Sequence, residues 1–261
     1  MSTARRHGLR HVGAVALLGS ALWLAGCGGS DEPAPANPRR SGGGVAPVTS
    51  APPAAASDAR PRFVILGDSL TAGLGLDVAE AYPTLLQREL DDAGIPLQVV
   101  NAGISGDTTA GGLSRLELAL EGDVRLLLVA LGGNDALRAL PVAELERNLS
   151  DIIERSQQRG IKVVLAGMEA PPNFGDDYTK AFRKVYRDVA AKYDITFIPF
   201  LLDGVAGVER LNQNDGIHPT AEGARMVADH VWPVLEPLAR AAAAQPPRPA
   251  AVGPPGEGRP E

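Results

Sequence analysis

The chain has 261 residues, 25 basic and 31 acidic, with a formal charge of -6 at pH 7 and a single cysteine. An acidic balance disfavours nucleic acid and anionic membrane surfaces as partners. One cysteine excludes an intramolecular disulfide, a cysteine-based metal site and, once its place at the end of the leader run is seen, a thiol nucleophile.

Arg5, Arg6 and Arg10 precede an apolar run from Val12 to Ala25. At about 14 residues that run is short for a membrane span and suits the hydrophobic part of a secretion signal. It closes on Leu24-Ala25-Gly26-Cys27, which resembles the bacterial lipobox. That resemblance implies cleavage before Cys27, thioether lipidation of its sulfur and acylation of the new amino terminus. On that reading residues 1–26 are a lipoprotein signal peptide; the plainer alternative is an ordinary signal peptide that happens to contain a cysteine. Losing residues 1–26 removes three arginines and no acid, so the charge moves from -6 to -9. Membrane association is then expected through lipid chains on Cys27, of which two or more hold stably. Gly28, not Asp, after the cysteine leans toward the periplasmic face of an outer membrane. Residues 27–61 are Pro, Ala, Gly and Ser with hardly a bulky side chain and read as a flexible linker; residues 241–261 read as a disordered tail of the same kind. Residues 62–240 are left as one domain with a full core.

Short aliphatic runs predict strands at Arg62–Leu66, Leu97–Asn101, Arg125–Leu131, Lys162–Ala166 and Thr196–Pro199. Helical stretches fall between them, at Tyr82–Ala93, Thr109–Glu121, Val142–Arg159 and Tyr178–Lys192, with a last one at Thr220–Leu238. Gly94 and Gly160 follow helices where a left-handed cap is expected. The alternation predicts an α/β fold, a doubly wound five-stranded parallel sheet in flavodoxin-like order 2-1-3-4-5.

In such a sheet the loops at the strand carboxyl ends open on one crevice. Gly67-Asp68-Ser69-Leu70 follows the first strand, Gly103 to Asp107 the second, and Gly132-Gly133-Asn134-Asp135 the third. Asp215-Gly216-Ile217-His218-Pro219 precedes the last helix. Four polar segments, distant in sequence, thus converge. Downstream of Cys27 only His218 and His230 remain, and His230 sits in a helical stretch as a structural residue. His218 is therefore the candidate base for Ser69, with Asp215 placed to orient its ring. Asp215 and Thr220 are equally readable as caps of the following helix. Asn134 and the backbone N–H groups of Ser69 and Gly106 form a candidate oxyanion hole; the plainer reading makes Gly106 part of a capped turn and Asn134 a turn former. Asp68 and Asp135 are assigned to holding loops. Two distant histidines give no transition-metal spacing, and Gly73-Leu74-Gly75 is too short for a dinucleotide fingerprint, so neither a metal nor a cofactor is expected.

Ser69 in Gly-Asp-Ser-Leu, Gly106 in Ile-Ser-Gly-Asp, Asn134 in Gly-Gly-Asn-Asp and His218 in Asp-Gly-Ile-His-Pro stand in the order of the GDSL, or SGNH, hydrolase family. The chain resembles that family from about Arg62 to Leu238. Val129 to Asp135, Asn173-Phe174-Gly175 and Asp215 to Pro219 are similar to its bacterial thioesterase, arylesterase and lysophospholipase branch. The resemblance implies a three-layer α/β/α sandwich, a monomer, and a serine hydrolase cleaving aryl esters, acyl thioesters and lysophospholipids through an acyl-serine. It also implies that the region after Asn134 shapes the acyl pocket, which points to Leu137 and Leu140; the bland alternative packs both under the next helix. An imidazole base is charged in acid, so activity should climb toward neutral pH. Two other readings stay open: a carbohydrate or peptidoglycan O-acetylesterase, which scarce aromatics disfavour, and a non-catalytic lipid-binding surface lipoprotein.

Overall fold

The computed structural model describes residues 60–246. The leader, the lipidation candidate Cys27, nearly all of the linker and the end of the tail lie outside the described residues. Five strands, β1 (Arg62–Gly67), β2 (Gln98–Gly103), β3 (Val124–Ala130), β4 (Lys162–Ala166) and β5 (Thr196–Ile198), form one sheet in the order β2-β1-β3-β4-β5. Every pairing is parallel. The expected order is the observed one. The cause is visible in β3, the middle strand, whose seven residues are all buried; covered on both faces, it has no reason to alternate.

Among the described residues eight α-helices accompany the sheet: α1 (Ser69–Ala72), α2 (Tyr82–Asp92), α3 (Thr109–Ser114), α4 (Leu116–Ala119), α5 (Gly133–Leu137), α6 (Val142–Gln158), α7 (Asp176–Lys192) and α8 (Ala221–Ala243). Helix α2 packs on α8, while α6 packs on α3 and α7, so each face of the sheet carries a helical layer. Along α7, Phe174 just ahead of it, Tyr178, Phe182 and Tyr186 stack at four-residue intervals, with ring centroids 5.5–6.0 Å apart.

The helices depart from expectation in three places. The single helix expected over Thr109–Glu121 is two, because the Arg115 guanidinium turns back to Asp107 and to the Gly67 carbonyl at the junction. Helices α1 and α5, read in the sequence as turns, are single helical turns on the strand ends that carry Ser69 and Asn134. Helix α8 runs to Ala243, past residue 240, and Arg125 donates to the carbonyls of Ala242, Ala243 and Gln245. Arg125 is buried within β3, its charge met by Asp123 at 2.7 Å. The folded unit therefore includes the first residues assigned to the tail.

Two glycines are fixed by space. A Cβ at Gly103 would lie 2.3 Å from the Ala72 nitrogen, so α1 rests directly on the end of β2. Gly132, at φ +113°, has Tyr186 Oη where a Cβ would stand, 1.9 Å away. That hydroxyl donates to the Leu131 carbonyl at the end of β3.

Candidate active site

The carboxyl ends of β1 and β3, with the loop before α8, bring the polar segments together. Asp68 caps α1: its Oδ1 accepts the Leu70 N–H at 3.0 Å. This sets Ser69 as the first residue of the helix, 9% exposed, with its hydroxyl toward His218. Ser69 Oγ lies 2.8 Å from His218 Nε2, and His218 Nδ1 lies 2.6 Å from Asp215 Oδ2. A carboxylate only accepts, so Nδ1 carries the proton and Nε2 is left to accept from the serine.

The Asp215 loop is built to hold that carboxylate ionised. Its Oδ1 accepts the backbone N–H of Ile217 at 2.9 Å and of His218 at 3.0 Å. The His218 backbone donor, then its ring, then the Ile217 donor bring the carboxyl down to about 2. Asp215 is thus charged throughout the working range although its side chain is 45% exposed.

Gln213 was not singled out by its sequence, yet it fastens the histidine loop to the serine loop. Its Nε2 donates to the Leu74 carbonyl at 2.8 Å and to the Pro219 carbonyl at 2.9 Å. Its backbone N–H donates to the His218 carbonyl at 2.7 Å, beside the antiparallel bridge between Asn212 and Pro219. Asn212 in turn donates to the carbonyls of Val205 and Val208. The imidazole is therefore carried on a loop tied at both ends.

Asn134 faces the same cavity as Ser69 and His218. Its Nδ2 donates to the Asp107 carbonyl at 2.9 Å and more loosely to Asp68 Oδ2 at 3.3 Å. The neighbouring Asp135 accepts from Thr109 N–H at 2.8 Å and Thr109 Oγ1 at 2.6 Å, and Asn148 donates to that same hydroxyl. This buried chain locks the third segment onto the second. The N–H groups of Ser69 and Gly106 make no hydrogen bond among the described residues. Gly106 lies next to Asp107 but does not line the cavity, and its carbonyl accepts from Arg138 at 2.9 Å. Asp68 is nearly fully buried, and that burial pushes its carboxyl up to about 6 against the pull of the Leu70 N–H, the nearby His218 and Asn134.

The cavity holds about 470 Å³. Leu137, 46% exposed, is on its wall together with Met168, Ala170, Pro171 and Phe200. Leu140 is not, which corrects the expectation that both leucines line it. The turn of α5 separates the two side chains, and the Leu140 backbone is held toward α7 by Tyr178 Oη, which donates to its carbonyl at 3.0 Å. The wall supplied by residues 168–172, after β4, had no distinctive sequence signal. Among the described residues, no group of His, Cys, Asp and Glu could hold a metal ion, and no helix is long and apolar enough to cross a membrane.

The GDSL-like Lipase/Acylhydrolase family model matches residues 65–226. Esterase TesA of Pseudomonas aeruginosa is 45% identical over 177 residues, covering 67% of this chain and 88% of that protein. Thioesterase 1/protease 1/lysophospholipase L1 of Escherichia coli K12 is 37% identical over 186 residues, covering 71% and 86%. Among solved structures, the psychrotrophic esterase EstA from Pseudoalteromonas sp., inhibited by monoethylphosphonate, superposes with a TM-score of 0.65 at 32% identity, covering 67% of this chain and 97% of that one.

Proposed function

The chain belongs to the GDSL-like lipase/acylhydrolase family, and within it we propose a serine hydrolase of acyl esters and thioesters, lysophospholipids included, with Ser69 as nucleophile. The observation that carries this reading is the unbroken line from Ser69 Oγ to His218 Nε2 at 2.8 Å and from His218 Nδ1 to Asp215 at 2.6 Å. Ser69 Oγ attacks the ester carbonyl while His218 takes its proton, and the ionised Asp215 stabilises the resulting imidazolium. The tetrahedral oxyanion is met by the N–H groups of Ser69 and Gly106 and by Asn134 Nδ2, which gives up its looser 3.3 Å bond to Asp68 to do so; one such donor is worth roughly 10²–10³ in rate. The carbonyl re-forms as the C–O bond to the leaving alcohol breaks, and His218 returns the proton to that alcohol. Water, deprotonated by His218, then cleaves the acyl-serine and frees the acid. Leu137 and the apolar wall of the 470 Å³ cavity receive the acyl chain, a volume that suits chains well beyond acetyl.

The sequence Leu24-Ala25-Gly26-Cys27 supports a further part of the proposal, that the enzyme is an exported lipoprotein held at the cell envelope through lipidated Cys27; that it acts as a monomer is carried over from the family resemblance alone. Metabolic labelling with palmitate that is lost in Cys27→Ser tests the anchor. For the chemistry, a fluorophosphonate probe should label the wild type and leave Ser69→Ala unlabelled; equal labelling overturns the assignment. A series of p-nitrophenyl esters should peak above the two-carbon chain, whereas activity confined to acetyl would transfer the reading to an O-acetylesterase.

A further inference from the structure

A second cavity of about 350 Å³ shares two lining residues, Glu169 and Phe200, with the first. It runs along the outer strand of the sheet, where Phe197 and Phe200 at the end of β5 face Arg183 and Arg187 of α7, with Asp203 beyond them. Its charges are unequally engaged. Arg183 and Glu169 are joined at 3.0 Å and neutralise one another. Arg187 and Asp203 have no ion-pair partner among the described residues, although they line the same cavity. His230, whose Nε2 donates to the Phe200 carbonyl at 3.0 Å, also lines the groove, which thus offers one guanidinium and one carboxylate without an ion-pair partner, and two phenyl rings.

We propose that this groove is a subsite for the zwitterionic headgroup of a single-chain phospholipid, with Arg187 receiving the phosphodiester and Asp203, Phe197 and Phe200 receiving the ammonium group. This rests on the reading of the chain as an acyl-ester hydrolase. A guanidinium is the side chain best matched to phosphate oxygens, and a quaternary or primary ammonium is held by a carboxylate and by aromatic faces. The connectivity fits. Glu169 and Phe200 line both the groove and the cavity that holds Ser69, so an ester carbonyl at Ser69 with its glycerol toward these two residues would leave the phosphate and ammonium to the groove. The charge balance also selects. A polyanionic leaving group would meet Asp203 and the Glu169 carboxylate as well as Arg187, whereas a net-neutral headgroup meets both signs in turn.

The test compares substrates that share acyl chain and ester but differ in headgroup, each below its micellar concentration: decanoyl lysophosphatidylcholine, decanoyl lysophosphatidylglycerol and monodecanoylglycerol. The wild type should favour the phosphocholine ester over the glycerol ester by about tenfold in kcat/KM, the size of a charge-assisted contact at a half-open site. Arg187→Glu should bring that ratio to near unity. Asp203→Lys should reverse the order of phosphocholine and phosphoglycerol esters, and 0.5 M salt should compress all three differences. Ratios that Arg187→Glu and Asp203→Lys leave at the wild-type value overturn the subsite. So does a wild type that cleaves monodecanoylglycerol but not the phosphocholine ester, which leaves the ester-hydrolase reading standing. A wild type that cleaves none of the three esters, nor a p-nitrophenyl ester, refutes that reading itself.

Discussion

Replacing Gln213 by glutamate keeps the size and shape of the side chain and removes its two donors. In the native protein those donors meet the carbonyls of Leu74 and Pro219 at 2.8 and 2.9 Å, one on the serine loop and one on the histidine loop. Each such bond contributes on the order of 1 kcal/mol net, and a carboxylate facing two carbonyl oxygens is driven out to solvent, so about 1–3 kcal/mol of restraint on the His218 loop is lost. At about 1.4 kcal/mol per decade, that corresponds to a fall in kcat of roughly 5- to 150-fold if the lost restraint appears wholly at the transition state. The ground state is bound by the cavity wall, so KM for p-nitrophenyl butyrate should stay within about twofold of wild type. The informative partner is Gln213→Lys. It changes shape and charge but restores donors toward both carbonyls, and it should recover part of the lost kcat. Steady-state kinetics on both variants, with thermal unfolding measured alongside, decide the matter. Wild-type kcat in Gln213→Glu refutes the clasp. Equal losses in both variants that follow the unfolding temperature reduce Gln213 to a structural residue.

Two further outcomes follow from the site. Because burial raises Asp68 from 3.8 to about 6, its contribution to stability is fully present below its unfolded value and is lost as the pH rises through about 6. Asp68→Asn does not titrate, so between pH 4 and pH 8 its unfolding free energy should improve relative to wild type by about 2 kcal/mol, read by urea denaturation; parallel curves would refute the burial argument. Leu137→Asp should shift the p-nitrophenyl ester profile toward short chains while Leu140→Asp leaves the preferred length alone, and identical profiles in the two variants would remove Leu137 from the pocket.

How far the sequence reached depends on what kind of partner each residue has. Buried parallel strands announce themselves as aliphatic runs, and β3 and β4 were legible for that reason. Strand β2 was not read to its end: the expected strand stopped at Asn101, but Ala102 and Gly103, too small to extend an aliphatic run, pair in register with Leu66 and Gly67. The serine, histidine and aspartate were legible because the chemistry needs those residue types and the chain offers few alternatives to His218. Gln213 was invisible because both its acceptors are backbone carbonyls, which any residue supplies equally. Arg115 and Arg125 belong to the same case, since each reaches carbonyls far along the chain. The separation of Leu137 from Leu140 depended on one unread turn of helix, α5, which turned an adjacent pair of apolar residues into one wall residue and one that is not.

Since all five strands run the same way, their amino ends share one edge of the sheet, opposite Ser69. The chain enters β1 at Arg62 on that edge, and α8 finishes there, where Arg125 near the start of β3 holds its last carbonyls. Both attachment points of the domain therefore lie behind the catalytic mouth. A fusion partner, an affinity tag or a solid support joined to either end hangs from the back and leaves substrate access free. For a copy held through Cys27 the same geometry sets a turning requirement. The 32 residues between Cys27 and Arg60 extend at most about 110 Å, against a domain roughly 40 Å across. That reach exceeds the width of the domain, so for a chain held at Cys27 the length of the connection would not by itself fix which way the mouth faces.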